Sequence, residues 1–176
     1  MQNATSAIRE NQSIHVDPRA GKYLTFFLAN EEYGVEILKV QEIIERMPIT
    51  PVPLTSKYIL GVINLRGKIH PVMDLKVKFG MEPTQITEET CIIVIKTKDM
   101  MMGILVDKVS EVVDVSSGDI EDTPSFGADV NPEFLLGVGK TGGRVRLLLD
   151  IEKVLTAVDI VNMKKASGAE NKEAQN

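Results

Sequence analysis

Tryptophan is absent from this 176-residue chain, cysteine occurs once and histidine twice. With Cys91 alone, no disulfide can form within the chain, a pattern that fits a reducing compartment. Aromatic residues are limited to five Phe and three Tyr, too few for the stacking platforms that hold bases. No stretch approaches the roughly 18 uncharged apolar residues that would span a bilayer. The first twenty residues, which include Arg9, Glu10, Asp17 and Arg19, contain no signal-peptide core. A basic excess is missing as well: 20 Lys and Arg stand against 25 Asp and Glu, a net charge of −5. Nucleic acid is therefore an unfavoured partner, and a cytoplasmic protein without direct membrane contact is expected.

The parts of an enzyme are equally sparse. His15 falls in a polar N-terminal stretch, and His70 stands beside Pro71 with no cysteine, second histidine or carboxylate at metal-ligand spacing; His70 reads as structural or surface. Cys91 sits in an apolar run and reads as buried and inert. The glycines form neither a GxGxxG nor a P-loop. Asp74 and Asp150 each follow a strand-like run and open a helical segment, at 75–79 and 151–155, so both read as helix caps. A pair of catalytic carboxylates is the sharper alternative, with no histidine, metal motif or Gly-rich loop to join them. Met100, Met101 and Met102 alternate across a strand and fill core on one side; an adaptable thioether-lined binding surface is the alternative. Pro48, Pro51 and Pro53 make a rigid extended connector. No cofactor and no metal are expected.

What the chain does have is an internal repeat. Leu60-Gly61-Val62 recurs as Leu136-Gly137-Val138, and at the same offset Gly67, Lys68, Ile69, Val72 and Asp74-Leu75 match Gly143, Arg144, Val145, Leu148 and Asp150-Ile151. Gly34-Val35, Ile37, Val40 and Glu42-Ile43-Ile44 match Gly103-Ile104, Val106, Val109 and Glu111-Val112-Val113. Shared apolar positions, turn glycines and caps are the determinants of a fold. The chain therefore reads as two copies of one unit of about 70 residues, the second carrying a longer insertion near 114–132. Period-2 runs at 23–29 and 32–38, and hairpins at 61–65/68–74, 91–97/101–106 and 134–140/144–149, predict about five strands per copy. A sheet that small removes its exposed edges by curling closed. The fold class expected is mainly β: two small barrels packed together, with short helices and a groove between them.

A duplicated chain carries its own control, since positions kept in both copies serve the fold and positions found in one are candidates for function. Asn64-Leu65-Arg66-Gly67 aligns with Lys140-Thr141-Gly142-Gly143, so Arg66 is not required by its turn. Its planar fork of donors suits carboxylates at interfaces; a solvated turn arginine is the plainer reading. Glu42, kept as Glu111, could pair with it across the hairpin edge.

These residues resemble the CheW family of bacterial chemotaxis coupling proteins. The likeness runs from Tyr23 to about Thr156. It rests on Glu32-Tyr33-Gly34-Val35-Glu36-Ile37-Leu38-Lys39-Val40-Gln41-Glu42-Ile43, on Gly61-Val62-Ile63-Asn64-Leu65-Arg66-Gly67, and on Val106-Asp107-Lys108-Val109. The resemblance implies two SH3-like barrels and a non-enzymatic adaptor that couples the cytoplasmic tips of chemoreceptors to the regulatory domain of the histidine kinase CheA, in arrays beneath the inner membrane. A CheW-like scaffold in another receptor–kinase assembly is the alternative. Carried over by position, it implies a receptor groove of Val40, Glu42, Ile43, Ile44, Gly61, Asn64 and Arg66 with Val106 from the second copy, a kinase contact at Phe126, and a monomer when free. The expected organisation is a flexible arm at 1–20, a folded region at 21–162 and a flexible tail at 163–176. Within the folded region one barrel is expected at about 35–85 and the other at about 90–155, their terminal strands open to exchange.

Overall fold

The computed structural model describes residues 16–45, 47–53, 55–123, 131–156, 159–165 and 168. Alternating apolar runs, cut by turn residues, form eleven strands there. The first copy supplies β1 (Gly21–Leu28), β2 (Glu31–Glu36), β3 (Val40–Ile44), β4 (Ile59–Leu65) and β5 (Lys68–Asp74), followed by the single-turn helix α1 (Leu75–Lys78). The second supplies β6 (Cys91–Lys96), β7 (Met101–Val106), β8 (Lys108–Val115), β9 (Ile120–Glu121), β10 (Leu135–Thr141) and β11 (Arg144–Leu149), then α2 (Ile151–Val154).

The strands sort into two sheets of matching order, β8-β1-β2-β11-β10-β9 and β3-β6-β7-β5-β4. The repeat is thus real in three dimensions. Its copies are interlaced, however: each copy's first hairpin, β1–β2 or β6–β7, lies in the sheet built from the other copy's later strands. The expected boundaries are corrected accordingly. Residues 91–106 belong with β3–β5 rather than with a second barrel beginning near 90, and β1–β2 belong with β8–β11. The physical seam is a short parallel pairing in each sheet, where Gly34 faces Leu148 in one and Gly103 faces Val72 in the other. A Cβ on Gly103 would stand 2.7 Å from the Ile92 side chain, so this approach needs a bare backbone.

The main core draws on both sheets, with Leu24, Phe26 and Tyr33 meeting Ile93, Ile95, Met102 and Ile104. Tyr33, Phe79 and Phe134 stack in a row through it. Asp74 is buried and caps α1: Oδ1 accepts from the Lys76 amide at 3.0 Å and from the Thr84 hydroxyl, and Oδ2 from the Thr84 amide. Asp150 does not cap through its side chain; its carbonyl receives the Lys153 and Val154 amides instead. Both chain ends are tied in further than expected. Arg19, placed in the expected arm, grips Asp17, Asp122 and the Leu136 carbonyl, and Met163, placed in the expected tail, is fully buried in the core. No helix among the described residues is long and apolar enough to cross a membrane.

Candidate functional site

The β4–β5 hairpin turns through two consecutive left-handed residues, Arg66 (φ 51°) and Gly67 (φ 82°), the backbone that a tight two-residue hairpin demands. The β10–β11 hairpin uses glycine at both positions, Gly142 and Gly143. Asn64 closes the first turn, its Oδ1 accepting from the Gly67 amide at 2.9 Å. A side chain with a Cβ is disfavoured in this conformation, so Arg66 stands where its own fold would prefer glycine. Arg66→Gly is therefore expected to leave the melting temperature unchanged or raise it by up to roughly 3 °C, relief of the left-handed strain being partly offset by a freer unfolded chain. A calorimetric scan of the variant against the parent checks this.

The guanidinium reaches back across the hairpin to β3. Arg66 Nη2 donates to Glu42 Oε1 at 2.8 Å and Nη1 to Oε2 at 2.9 Å, a two-pronged pair. The Arg66 side chain is 77% exposed and that of Glu42 32%. Hydrogen bonds from Arg66 hold the Glu42 carboxyl below its ordinary range, and Glu42 in turn raises the guanidinium. A pair so exposed contributes little to stability and is screened by salt. Its value lies in presenting a fixed charge pattern.

Beneath the pair lies an open hollow lined by Gln41, Glu42, Leu65, Arg66, Lys68, His70, Val94 and Met101. Burial lowers the His70 pKa, neighbouring Lys68 lowers it further, and a hydrogen bond with the Met101 backbone opposes both. The imidazole is consequently neutral near pH 7. His70 is thus part of the hollow rather than a bystander. Of the three consecutive methionines, Met102 is buried in the core, while Met101 turns to the hollow.

The other residues implied for the groove fall around this point unevenly. Ile43 is exposed beside Glu42. Val40 packs on the main core and Ile44 on a smaller cluster around Ile63, Leu65 and Val94. Gly61 is closed in by backbone: any Cβ there would strike the Thr50 carbonyl oxygen at 2.0 Å. Val106 is fully buried on β7. Neither Gly61 nor Val106 lines the hollow, and neither offers side-chain surface to a partner. Phe126 lies outside the described residues. His70, Met101, Lys68 and Val94 were not picked out by sequence reasoning. For two of them the signal was present, since their counterparts across the repeat are Arg146 and Glu32.

Cys91 is half-buried rather than fully buried; burial raises its thiol pKa, and its Sγ contacts the Glu89 carbonyl at 3.2 Å. Among the described residues no three His, Cys, Asp or Glu side chains gather as a metal ion requires. A second hollow, predominantly apolar, is lined by Met47, Pro48, Ile49, Ile86, Ile92 and Leu105 together with Glu45 and Thr90.

Residues 22–159 match the family model of the CheW-like domain. The chain is 41% identical to the chemotaxis protein CheW of Klebsiella aerogenes over 139 residues, covering 79% of this chain and 84% of that one. It is 35% identical to the chemotaxis protein CheW of Rhizobium meliloti over 144 residues, covering 82% and 93%. The crystal structure of the scaffolding protein TtCheW from Thermoanaerobacter tengcongensis superposes with a TM-score of 0.70 at 34% identity, covering 74% of this chain and 89% of that one.

Proposed function

The chain belongs to the CheW-like family, and from that membership we propose that it is the non-catalytic adaptor joining chemoreceptors to a histidine kinase in a bacterial chemotaxis system. Its two interlaced sheets are SH3-like barrels, as in the scaffold that it superposes on. The observation that carries the reading is the Glu42–Arg66 pair, held at the rim of an open hollow by a turn whose backbone favours glycine. A receptor tip is a helical hairpin, and one of its helices would lay its ridge along Ile43, Glu42 and Arg66, with polar side chains meeting the charged pair and apolar ones meeting Leu65 and Met101. Val40, Ile44, Gly61, Asn64 and Val106 would hold that surface in shape.

An adaptor needs a second face. The apolar hollow at Met47, Pro48, Ile49 and Ile86 is well suited to it, because Ile86 is exposed and would gain burial on contact. Phe126 would add to the kinase side. An adaptor that pairs receptor and kinase on one small body would sit in arrays at the inner face of the membrane, reached through its partners.

The decisive measurement is a pull-down with two baits, a receptor tip hairpin and the regulatory domain of the CheA kinase from the same genome. Both are expected to retain the protein, and a ternary complex is expected when they are combined. Retention by neither bait overturns the reading. Retention only by the receptor and kinase of a separate signalling cluster would assign the protein to that other assembly.

A further inference from the structure

The duplication creates two equivalent places for a groove, and only one is open. The counterparts of Glu42, Leu65, Arg66, His70 and Met101 are Glu111, Thr141, Gly142, Arg146 and Glu32. They occupy the matching positions of the other sheet, as the paired registers show: His70 faces Ile63 in one hairpin, and Arg146 faces Gly139 in the other.

Here the hollow is filled from within. The Arg146 side chain is only 4% exposed. Its Nε donates to Glu32 Oε1 at 2.9 Å, its Nη2 to Glu111 Oε1 at 3.0 Å, and its Nη1 to the Thr141 carbonyl at 3.1 Å and to the Thr141 hydroxyl. The same acid is thus used differently. Glu42 is held by the exposed Arg66 at the rim of an open space, whereas Glu111, itself half exposed, is held by the buried Arg146, with Arg144 4.0 Å away. Thr25 adds to the closure, its hydroxyl donating to the Glu111 carbonyl at 2.9 Å and accepting from the Glu111 amide at 3.1 Å. The equivalent of Thr25 across the repeat is Val94, whose side chain offers no such bonds.

We propose that Arg146 is a specificity-determining plug: it seals the second groove and leaves the adaptor with a single receptor-binding face. The inference rests on the reading of the first groove as the receptor site. Its physical basis is that a helix side chain entering the second hollow would have to displace a guanidinium already satisfied by two carboxylates and a carbonyl. That exchange leaves buried charges without partners. One-sidedness gives an array-forming adaptor a fixed orientation, because each molecule can face a receptor in only one way.

The test is titration calorimetry with a receptor tip hairpin as probe, on the parent, on Arg66→Ala, on the triple variant Glu32→Met/Gly142→Arg/Arg146→His, and on the quadruple variant combining all four changes. The triple variant gives the second groove the open groove's residues at three positions and removes both members of the buried pair together. The expected numbers of sites at the parent's affinity are one for the parent, none for Arg66→Ala, whose single site is weakened at least tenfold, two for the triple variant and one for the quadruple. If Arg66→Ala binds as the parent does, the reading of the first groove fails. If Arg66→Ala loses binding and the folded triple variant still binds once, the plug is refuted while the groove stands. Parent protein labelled for amide NMR decides the matter without any variant. Saturating probe is expected to shift the amides of β3–β5 and spare those of Gly139–Arg146. Shifts on the latter comparable to those on β3 overturn the inference.

Discussion

Arg66→Ala is expected to bind a receptor tip at least tenfold more weakly than the parent protein while melting within a few degrees of it. The two halves of this expectation have separate causes. In the free protein the pair with Glu42 faces solvent, where a cation and a carboxylate gain little from each other. Once a helix covers the rim, both charges lose water, and truncating one of them leaves the other covered and unpaired, which weakens complexes strongly. Arg66→Lys is expected to restore only part of the binding, because an ammonium cannot replace both guanidinium hydrogen bonds to Glu42. Calorimetric titration and a thermal melt on one preparation measure both halves. Unchanged affinity in a folded Arg66→Ala protein would remove the pair from the site, and a large fall in melting temperature would assign it to the fold.

The largest effect on stability is expected at Asp159, which sits where the chain returns to the core after α2. Its carboxylate is fully buried and receives Lys78 Nζ at 2.6 Å, the Tyr58 hydroxyl and the Thr156 amide. Lys78 is almost as enclosed and lies 4.6 Å from the centre of the Tyr58 ring. Asp159→Ala would strand that ammonium, and breaking a buried pair from one side costs about 3–5 kcal/mol. A melting temperature lower by roughly 10 °C follows for a domain of this size. The double replacement Asp159→Leu/Lys78→Met should recover much of the loss, since matched apolar groups tolerate the site. Burial alone would raise the Asp159 pKa, but the bonds from Lys78, Tyr58 and Thr156 outweigh it and hold the carboxyl below its ordinary value. The folded state therefore favours the ionised form. The stabilisation is complete above the unfolded pKa of about 3.9 and is lost as pH falls through the lower, folded value. Below about pH 4 the stability of the parent should drop toward that of the variant. A gap that stays constant from pH 7 to pH 3 would contradict this.

How much of this was legible in the sequence differs from residue to residue for physical reasons. The hairpins around Arg66–Gly67 and Gly142–Gly143 were readable because a tight turn imposes its own residue types. The duplication was readable because glycines, caps and apolar alternation recur in order. An exchange of terminal strands is compatible with the repeat, but which hairpins exchange is not legible, because alternation says which face of a strand is buried and nothing about which strand lies beside it. β1 and β6 are equally good partners for either sheet, and only the three-dimensional structure chooses. Arg66 emerges from comparing the copies; His70 and Met101 lie on strands which that comparison spans, where the other copy has Arg146 and Glu32. Lys78 and Asp159 had no such signal. They stand 81 positions apart, and each reads as an ordinary surface charge until the chain brings them together.

The interlaced sheets also set the order in which this protein can be made. β1 and β2 leave the ribosome first, yet their sheet is completed by β8, β10 and β11, and Glu32 meets Arg146 across 114 positions of chain. At roughly 5–20 residues per second, the first hairpin waits on the order of ten seconds for its neighbours. During that time the apolar face formed by Leu24, Phe26 and Leu28 has nothing permanent to lie on. The sheet of β3–β7 is one continuous stretch of chain and can form first, whereas the sheet that holds β1 and β2 closes only with the last strands, a long-range pairing that slows the final step. The polar strand ends at Lys22 and Glu31, with the turn after Leu28, are then what keeps the waiting hairpin from pairing with the nascent chain next to it.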